Sequence, residues 1–282
     1  MSKVWMITGC SSGLGKSIAQ AVLTQGDTAI ITDRHTDSLQ ELVQSYPHQV
    51  FPISLDLTDP QSIQEAASLV LERFRSIDVL VNNAGHGYRA TIEESESDTI
   101  QELFWTNFFG PMELIRALLP SMRANHKGQI INISSIGAIR GALGNGYYSA
   151  AKGALELASE ALEKEISHLH LHVMLVEPVG FRTGFYGHRL QETRQSISDY
   201  DCLASQYRKE NTTHSPAPGD PVKAGQWIVQ VARSEHRPFH LLLGKDAYTQ
   251  AKSTFEKRLQ EIEDWKHISL QSDFEEKKGT CL

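Results

Sequence analysis

Residues 4–15 read VWMITGCSSGLG, an apolar run that leads into a glycine-rich turn. Val4–Thr8 has the β-branched and apolar composition of a buried strand. Leu14, Ile18 and Val22 then follow at the spacing of one helix face. The free N–H groups at the start of a helix attract phosphate, so a strand, a glycine turn and a helix in this order predict a dinucleotide-binding unit. Taken alone, the glycine pattern also fits a merely tight turn.

The three glycines of this turn are spaced G-x3-G-x-G. Gly9 permits the tight turn, Gly13 lets the backbone approach a pyrophosphate, and Gly15 allows close helix packing. The spacing differs from the more common G-x-G-x-x-G. This difference helps to distinguish the loop from other classes of dinucleotide-binding loop.

Short apolar runs alternate with amphipathic stretches along the chain, as a parallel sheet with helical crossovers requires. We therefore predict an α/β protein with a single-domain Rossmann fold over residues 1–282, built on a doubly wound seven-stranded parallel sheet flanked by helices. The predicted strands are Val4–Thr8, Thr28–Asp33, Val50–Leu55, Asp78–Val81, Gln129–Ile133, Leu171–Val176 and His240–Leu243.

The alternation of apolar runs and amphipathic stretches stops between Gly184 and Asp220. This stretch is long and polar but still carries aromatic and aliphatic residues. Long structured insertions of this kind often cover a site, so residues 184–220 are predicted to form a substrate-binding lid. After the lid we expect a helix from about Asp220 to Arg233, the last strand, and a charged helix from about Asp246 to Trp265. Residues 268–282 are expected to fray.

Composition narrows the function. The chain has 282 residues, 40% hydrophobic and 22% charged, and 27 basic against 34 acidic residues give a net charge of −7. No basic field attracts nucleic acid or an anionic membrane, so a small-molecule substrate is the expected partner. The three cysteines are far apart, which argues against a disulfide framework and favours a reducing, cytoplasmic location. The sequence has no HExxH pattern, so no metal site is predicted. No apolar run reaches the ~18 residues of a membrane span.

Asp33 ends the second predicted strand, eighteen residues beyond Gly15. An acid at this position accepts hydrogen bonds from the ribose hydroxyls of adenosine, which favours NAD. Arg34 beside it is able to bind a 2′-phosphate, so NADP stays possible. Asp33 also fits the N-cap of the following helix, and Arg34 fits a solvated surface residue.

Four polar features follow in order: Asn82-Asn83-Ala84-Gly85, Asn107, Ser135, and Tyr148-x3-Lys152. Tyr148 and Lys152 open a helical stretch and lie one turn apart on one face. A Tyr with a Lys four residues later is a weak signal by itself and also fits an exposed surface pair. The four features together are far more specific.

With these residues the chain resembles the short-chain dehydrogenase/reductase family from Val4 to about Thr183, most of all the branch typified by 17β-hydroxysteroid dehydrogenases. The resemblance also includes Asp56 of the adenine pocket and the thirteen-residue interval from Ser135 to Tyr148. It implies a catalytic tetrad of Asn107, Ser135, Tyr148 and Lys152, and a substrate site formed by Ser135, Asn145 and Tyr148. The cofactor contacts that it implies are Gly9, Ser11, Ser12, Gly13, Leu14, Gly15, Asp33, Arg34, Asp56, Leu57, Asn83, Ala84, Gly85, Tyr148, Lys152, Pro178, Phe181 and Thr183.

The chemistry implied by the resemblance is proton exchange at Tyr148. A free tyrosine has a pKa near ~10 and is a poor base at neutral pH unless a cation such as Lys152 stabilises the phenolate. Ser135 is expected to bind the substrate oxygen, and Asn107 to position a water next to Lys152. Ser12 offers no positive charge where many NADP-using relatives have one, which again favours NAD. Val179 stands where the family usually has glycine.

Two neighbours compete with the assigned residues. Tyr147 has Ala151 and not a lysine four residues later, so it is expected to line the pocket or the core. Ser134 is the alternative to Ser135, and only the interval to Tyr148 decides between them.

The sequence therefore predicts an NAD(P)-dependent oxidoreductase that interconverts a secondary alcohol and a ketone on a lipophilic molecule, such as a steroid, polyketide or terpenoid. A non-catalytic dinucleotide-sensing protein is the alternative. A nucleotide-sugar epimerase is disfavoured, because the loop spacing differs and no large carboxyl-terminal domain follows. The resemblance implies a homodimer or homotetramer, for which Ala154, Leu155, Ala158 and Leu162 offer an apolar helix face.

Overall fold

Nine strands build two sheets in the computed structural model, which describes residues 2–183, 189–208 and 217–274. In chain order the strands are β1 (Val4–Thr8), β2 (Thr28–Asp33), β3 (Val50–Ser54), β4 (Val79–Asn82), β5 (Gly87–Arg89), β6 (Gly128–Ile133), β7 (Leu171–Pro178), β8 (Leu190–Glu192) and β9 (His240–Leu243). Seven of them form a parallel sheet in the order β3-β2-β1-β4-β6-β7-β9, and β5 pairs with β8 in a small parallel ribbon.

Helices connect these strands and cover both faces of the large sheet. They are α1 (Gly13–Thr24), α2 (Gln40–Ser45), α3 (Pro60–Phe74), α4 (Ser97–Phe104), α5 (Gly110–Ala124), α6 (Ile136–Ile139), α7 (Gly146–Ile166), α8 (Asp201–Arg208), α9 (Pro221–Arg233), α10 (Lys245–Asp264) and α11 (Lys266–Ser269). A π-helical turn, Trp105–Phe109, joins α4 to α5. The single-domain, seven-stranded Rossmann architecture is confirmed.

Strand β1 shows how the core is divided. Its side chains alternate, so Trp5 and Ile7 pack with α1 and α9 on one face, whereas Met6 packs with α3, α5 and α7 on the other. Both faces of the sheet are buried, which explains why the strands read as continuous apolar runs and not as alternating ones.

The structure moves several predicted boundaries by one or two residues. Strand β4 begins at Val79, one residue later than predicted, and ends at Asn82, while β7 continues to Pro178. Helix α9 starts at Pro221 because the Asp220 carboxylate caps it by accepting the Val222 N–H at 2.9 Å. The β5–β8 ribbon was not predicted, because each strand has three residues and their pairing is not local.

The predicted lid lies only partly within the described residues. Residues 189–208, here called the inserted segment, contain β8, a 3₁₀ turn (Ser198–Tyr200) and α8. Residues 184–188 and 209–216 of that prediction lie outside the described residues, as do residues 275–282 of the predicted tail. The tail residues that are described, up to Phe274, are exposed.

The apolar face predicted for subunit contact on α7 is wrong in part. Leu155 and Leu162 are buried inside this chain, and Ala154 and Ala158 are only partly covered. The reason is the helix period, since Leu155, Ser159, Leu162 and Ile166 form the stripe that faces the sheet. The homodimer or homotetramer itself stays a prediction.

Candidate active site

The glycine loop, Thr8–Gly15, lies at the carboxyl end of β1, where the backbone has almost no free space. The N–H groups of Gly9 and Cys10 both donate to the Thr32 carbonyl, at 3.0 and 2.9 Å. A Cβ on Gly15 would lie 2.3 Å from the Gly9 oxygen, so only glycine fits there. Ser12, the N-cap of α1, forms no side-chain capping bond, which leaves the helix N-terminus available to an anion.

Asn83 and Ala84 tie the end of β4 to this loop. The hydroxyl of Thr8 accepts hydrogen bonds from the N–H groups of Asn83 and Ala84, both at 2.9 Å. The Asn83 side-chain amide donates in turn to the carbonyls of Thr8 (2.8 Å) and Gly9 (3.2 Å). Gly9 has φ +73, and its missing Cβ leaves room for Ala84, whose Cα would be 2.9 Å away. These contacts make one rigid edge of the sheet.

Two cavities meet at this edge. The smaller, about 320 Å³, is lined by Ser11, Asp33, Arg34, Asp56 and Leu57, together with the first part of the glycine loop. The sequence assigned Asp33, Arg34 and Asp56 to the adenosine half of a dinucleotide and the others to cofactor contacts, and the structure places them together.

Asp33 and Arg34, which carry opposite charges, both line the smaller cavity. The Asp33 carboxylate accepts the Arg34 N–H at 2.9 Å, while the next 3₁₀ turn (Thr36–Leu39) is N-capped by His35 without a side-chain bond. The N-cap role for Asp33 is therefore wrong. Arg34 is exposed, and its side chain borders the same cavity.

The larger cavity, about 570 Å³, holds the other predicted site residues. The second half of the glycine loop (Ser12, Gly13 and Leu14), all four tetrad residues, and Asn83, Gly85, Asn145, Pro178, Phe181 and Thr183 line it. Among the described lining residues, Gly85 and Arg189 border both cavities. The two cavities together thus form one continuous trough of the kind that a dinucleotide and a substrate would share.

Tyr148 and Lys152 lie one turn apart on α7 and are only 8% and 5% exposed. The Lys152 ammonium donates to the Ile133 carbonyl at 2.8 Å. Burial lowers the pKa of Lys152 from 10.5 to about 8, and Glu156 opposes that shift. Lys152 therefore carries its positive charge at neutral pH but gives it up more readily than a surface lysine.

Ser135 and Tyr148 approach each other across Gly137. The Ser135 hydroxyl oxygen accepts the Gly137 N–H at 3.0 Å. A Cβ on Gly137 would lie 3.3 Å from that oxygen and 3.4 Å from Cε1 of the Tyr148 ring. A side chain at Gly137 would therefore contact both the Ser135 hydroxyl and the Tyr148 ring.

Asn107 sits in the π-helical turn, an irregularity that often marks functional sites. Its amide nitrogen donates to the carbonyls of His86 and Leu103, both at 3.0 Å, which aims the amide oxygen away from the helix. That buried oxygen has no hydrogen-bond partner among the described residues. A Cβ on Gly85 would lie 2.7 Å from it and 3.6 Å from Lys152 Nζ, so both polar atoms face the same gap. A bridging water fits this arrangement.

The competing neighbours have different surroundings in the structure. Both serines line the larger cavity, but the Ser134 hydroxyl is buried and donates to the Glu156 carboxylate at 2.6 Å, whereas the Ser135 hydroxyl oxygen accepts the Gly137 N–H. Tyr147 packs in a small apolar cluster with Tyr88 and Leu103. Cys10 is buried, and burial raises the pKa of its thiol to about 12, so it packs and does not react.

Val179 contacts the other side of the larger cavity. Its N–H donates to the Leu243 carbonyl at 3.2 Å, and its side chain lies where Gly244, at φ +109, has none. A Cβ on Gly244 would be 2.7 Å from Val179 Cγ1. The extra bulk of Val179 is thus accommodated by a glycine on the neighbouring strand end.

Several lining residues were not anticipated from the sequence. Leu190 and Tyr207 belong to the aliphatic and aromatic residues of the predicted lid, but Arg89, Arg140, Leu143, Arg189, Gln206 and Gln250 were not expected. They come from β5, from the loop before α7, from the inserted segment and from α10, which only the tertiary fold brings together. No local pattern in the sequence marks the three arginines.

Within residues 2–183, 189–208 and 217–274, no helix is long and apolar enough to cross a membrane. The same residues contain no group of three or more His, Cys, Asp or Glu side chains placed to hold a metal ion.

Comparison with known proteins agrees with this geometry. Residues 3–194 match the short chain dehydrogenase family. The chain is 33% identical to Oxidoreductase BOA17 of Botryotinia fuckeliana, over 96% of this chain and 100% of that protein. It is 34% identical to a 3-ketodihydrosphingosine reductase of Bacteroides thetaiotaomicron, over 86% and 88% of the two chains.

A solved structure has the same fold throughout. A short-chain dehydrogenase from Streptomyces avermitilis superposes with a TM-score of 0.90 at 38% identity, covering 96% of this chain and 98% of that one. The family match spans more than half of the chain and includes the glycine loop and the Tyr148–Lys152 pair. The family expected from the sequence is confirmed: this chain is an oxidoreductase that belongs to the short-chain dehydrogenase family.

Proposed function

We propose that this enzyme interconverts a secondary alcohol and a ketone on a lipophilic small molecule, using a nicotinamide dinucleotide as hydride carrier and Tyr148 as the acid and base. The observation that carries the proposal is the convergence of Tyr148, Lys152, Ser135 and Asn107 on one cavity that opens onto the glycine loop. A nicotinamide dinucleotide, when bound, supplies or accepts the hydride.

The residues that hold the dinucleotide follow from the two cavities. Its diphosphate fits the open N-terminus of α1, with adenosine beside Asp33, Asp56 and Leu57. The nicotinamide half then lies toward Lys152, Pro178 and Thr183. We propose NAD as the preferred form, because the Asp33 carboxylate favours ribose hydroxyls and repels a 2′-phosphate, and NADP as the second form, through Arg34.

Tyr148 exchanges the proton of the substrate oxygen. The Lys152 charge stabilises the phenolate, and the Ser135 hydroxyl donates a hydrogen bond to the substrate oxygen while accepting one from Gly137. Asn107 holds a water in the gap that it shares with Lys152, which returns protons to the site.

The substrate body contacts apolar residues on the far side of the cavity. Ile136, Leu143 and Phe181 line it with Asn145, and so do Leu190 and Tyr207 of the inserted segment. This lining suits a molecule larger than a simple alcohol. The name of the sphingoid-base reductase relative also fits a long-chain ketone, although a steroid, polyketide or terpenoid is compatible with the same lining.

Turnover of a panel of secondary alcohols and ketones, followed at the nicotinamide absorbance with each cofactor, tests the proposal. Tyr148→Phe is expected to lower kcat by at least ~100-fold, because it removes the proton donor and leaves the nucleotide contacts in place. Dinucleotide affinity is expected to stay within twofold.

Tyr147→Phe is the matched control and is expected to leave kcat nearly unchanged. A Tyr148→Phe enzyme that keeps more than about a tenth of the activity contradicts the assignment. A wild type that binds the dinucleotide tightly but turns over no alcohol or ketone favours a dinucleotide-sensing protein instead.

A further inference from the structure

The larger cavity has an unbalanced set of charges. Four cationic side chains line it, Arg89, Arg140, Lys152 and Arg189, and no carboxylate does so among the described residues. The whole chain, by contrast, carries a net charge of −7. Several cations that line a partly enclosed cavity, with no carboxylate among the described lining residues, favour the binding of an anion there.

Two of the four cations have a place in the proposed reaction. Lys152 stands beside Tyr148. The Arg189 guanidinium donates to the Ser11 hydroxyl at 2.9 Å and borders both cavities, which puts it next to the position of the dinucleotide diphosphate. Arg89 and Arg140 have no such role.

Arg89 is held at the substrate end of the cavity by backbone contacts. Its carbonyl accepts the Thr193 N–H at 3.0 Å, and the next residue, Ala90, bridges to Asn145, three residues before Tyr148. The Arg89 Nε atom is buried and has no hydrogen-bond partner among the described residues. Glu192, its register partner on β8, is exposed and does not line the cavity.

Arg140 follows α6, five residues after Ser135. Its Nε and Nη2 atoms both donate to the Gln250 side-chain oxygen on α10, at 2.9 and 2.6 Å. Gln250 is neutral, so it orients the guanidinium without cancelling the charge. A guanidinium held in this way keeps donors for a planar, bidentate anion.

We infer that the substrate carries a carboxylate or a similar oxyanion, bound by Arg89 and Arg140, on the apolar body that Ile136, Leu143 and Tyr207 contact. This inference rests on the proposed alcohol–ketone chemistry and adds the chemical class of the substrate. The carbonyl carbon sits at Tyr148 and Ser135, and the anionic group lies away from it, toward the two arginines.

A matched pair of ketones tests the inference: 4-acetylbenzoate and its methyl ester have the same reacting carbonyl and differ in one charge. We expect a kcat/KM for the acid at least tenfold above that for the ester. Arg89→Gln and Arg140→Gln are each expected to lower kcat/KM for the acid by 10- to 100-fold, mainly through KM, and to change the ester by less than twofold.

Arg194→Gln is the control, since this arginine lies in the inserted segment near the cavity but does not line the cavity, and its side chain is 82% exposed. It is expected to leave both substrates unchanged. Arg89→Lys keeps the positive charge but loses the planar guanidinium, so we expect it to retain part of the preference for the acid. This variant tests the inference even if Arg89→Gln fails to fold. Equal or better reduction of the ester by the wild type overturns the inference.

Failure of the proposed function is distinguishable from failure of this inference. If neither ketone is reduced, the alcohol–ketone proposal fails for this class, and binding decides the charge question. Titration of the enzyme–NADH complex with 4-acetylbenzoate and with the ester, followed by tryptophan fluorescence, is then expected to show at least tenfold tighter binding of the acid. Equal binding of the two, or binding of the acid that Arg89→Gln and Arg140→Gln leave unchanged, overturns the inference.

Discussion

The glycine loop and the inserted segment border the same trough but are held by different kinds of contact. The loop is held by backbone bonds to β2, by the Asn83 amide, and by glycines that leave no room for a side chain. The inserted segment is held by the three-residue β5–β8 ribbon and by side chains, chiefly Glu94 and Glu96. The comparison indicates that the cofactor end is intolerant of substitution and the substrate end is adjustable.

Glu94 shows how the second region is attached. Its carboxylate accepts the Ile197 N–H at 2.9 Å and the Thr91 hydroxyl at 2.8 Å, and its carbonyl accepts the Thr193 hydroxyl at 2.6 Å. A single buried acid thus ties two positions of the inserted segment to the loop after β5. The glycine loop, by contrast, is held by backbone bonds to Thr32 together with the Asn83 amide and the Thr8 hydroxyl.

The largest expected effect comes from breaking the glycine loop. Gly15→Ala places a Cβ 2.3 Å from the Gly9 oxygen and 2.4 Å from Asn83 Nδ2, so the loop has to move. We expect dinucleotide affinity to fall by at least ~100-fold, about 2.8 kcal/mol, in a fluorescence titration. Gly141→Ala meets nothing within 4 Å and serves as the control. Unchanged affinity in Gly15→Ala contradicts the close fit described for the loop.

Asp33→Ala tests the cofactor end without moving the backbone. Removing the carboxylate removes the repulsion of a 2′-phosphate, and Arg34 stays in place, so the preference is expected to shift toward NADP by one to two orders of magnitude, on the order of 1.4–2.8 kcal/mol. The measurement is kcat/KM for both cofactors. Asp37→Ala removes the same charge from an exposed position nearby and is expected to shift nothing. A wild type that already prefers NADP shows that Arg34 dominates.

Glu94→Ala tests the attachment of the inserted segment. Glu94 is 1% exposed, and its loss leaves the Ile197 N–H without its acceptor, which typically costs about 1–3 kcal/mol of stability. We expect substrate KM to rise about tenfold, while the dinucleotide Kd changes by less than twofold. Glu93→Ala, which loses only an exposed bond to the Tyr200 hydroxyl, is the control. Parallel loss of dinucleotide affinity means that the two regions are not independent.

The smallest expected effect concerns the pH dependence of stability. Burial raises the pKa of Glu156 from 4.5 to about 7, against the opposing Ser134 hydrogen bond. Glu177, His240 and Lys152 are the other charged groups around it. Because the folded-state pKa is raised, protonated Glu156 contributes stability that is fully present below pH 4.5 and is lost as the pH rises through about 7.

Glu156→Gln removes this titration and keeps an oxygen that accepts the Ser134 hydroxyl. Between pH 5 and pH 8, the Tm of the wild type is therefore expected to fall by a few degrees relative to that of Glu156→Gln. This difference corresponds to a loss of unfolding free energy on the order of 1 kcal/mol. Thermal unfolding at several pH values measures it. A difference in Tm that stays constant over this range contradicts a protonated Glu156 below neutral pH.

The sequence predicts the region around the glycine loop better than it predicts the substrate end. Strands β1, β2 and β9 have the predicted bounds. For β1 and β2 the reason is that a strand buried on both faces needs an unbroken apolar run, whereas β9 is a partly exposed edge strand. The glycine loop was predictable because the steric demand is local in sequence. Asn107 was reached only through the family resemblance, since the π-helical turn that aims it has no local signal.

The residues of the substrate end were mostly not predictable. Arg89, Arg140 and Gln250 are far apart in sequence, and none belongs to a periodic pattern. Ser134 and Ser135 differ in the sequence only in their interval to Tyr148, and the structure adds the partner of each hydroxyl, Glu156 for Ser134 and the Gly137 N–H for Ser135.

By itself, the sequence determined the parallel sheet, the glycine loop and the placement of Tyr148 and Lys152 one turn apart on a helix, because backbone sterics, burial periodicity and one helix turn act over a few residues. Only the tertiary structure decided which cations share the larger cavity, that no carboxylate among the described residues lines it, and that Glu94 anchors the inserted segment. Those properties depend on contacts between distant segments, and the strength of a charge depends on what the fold places around it.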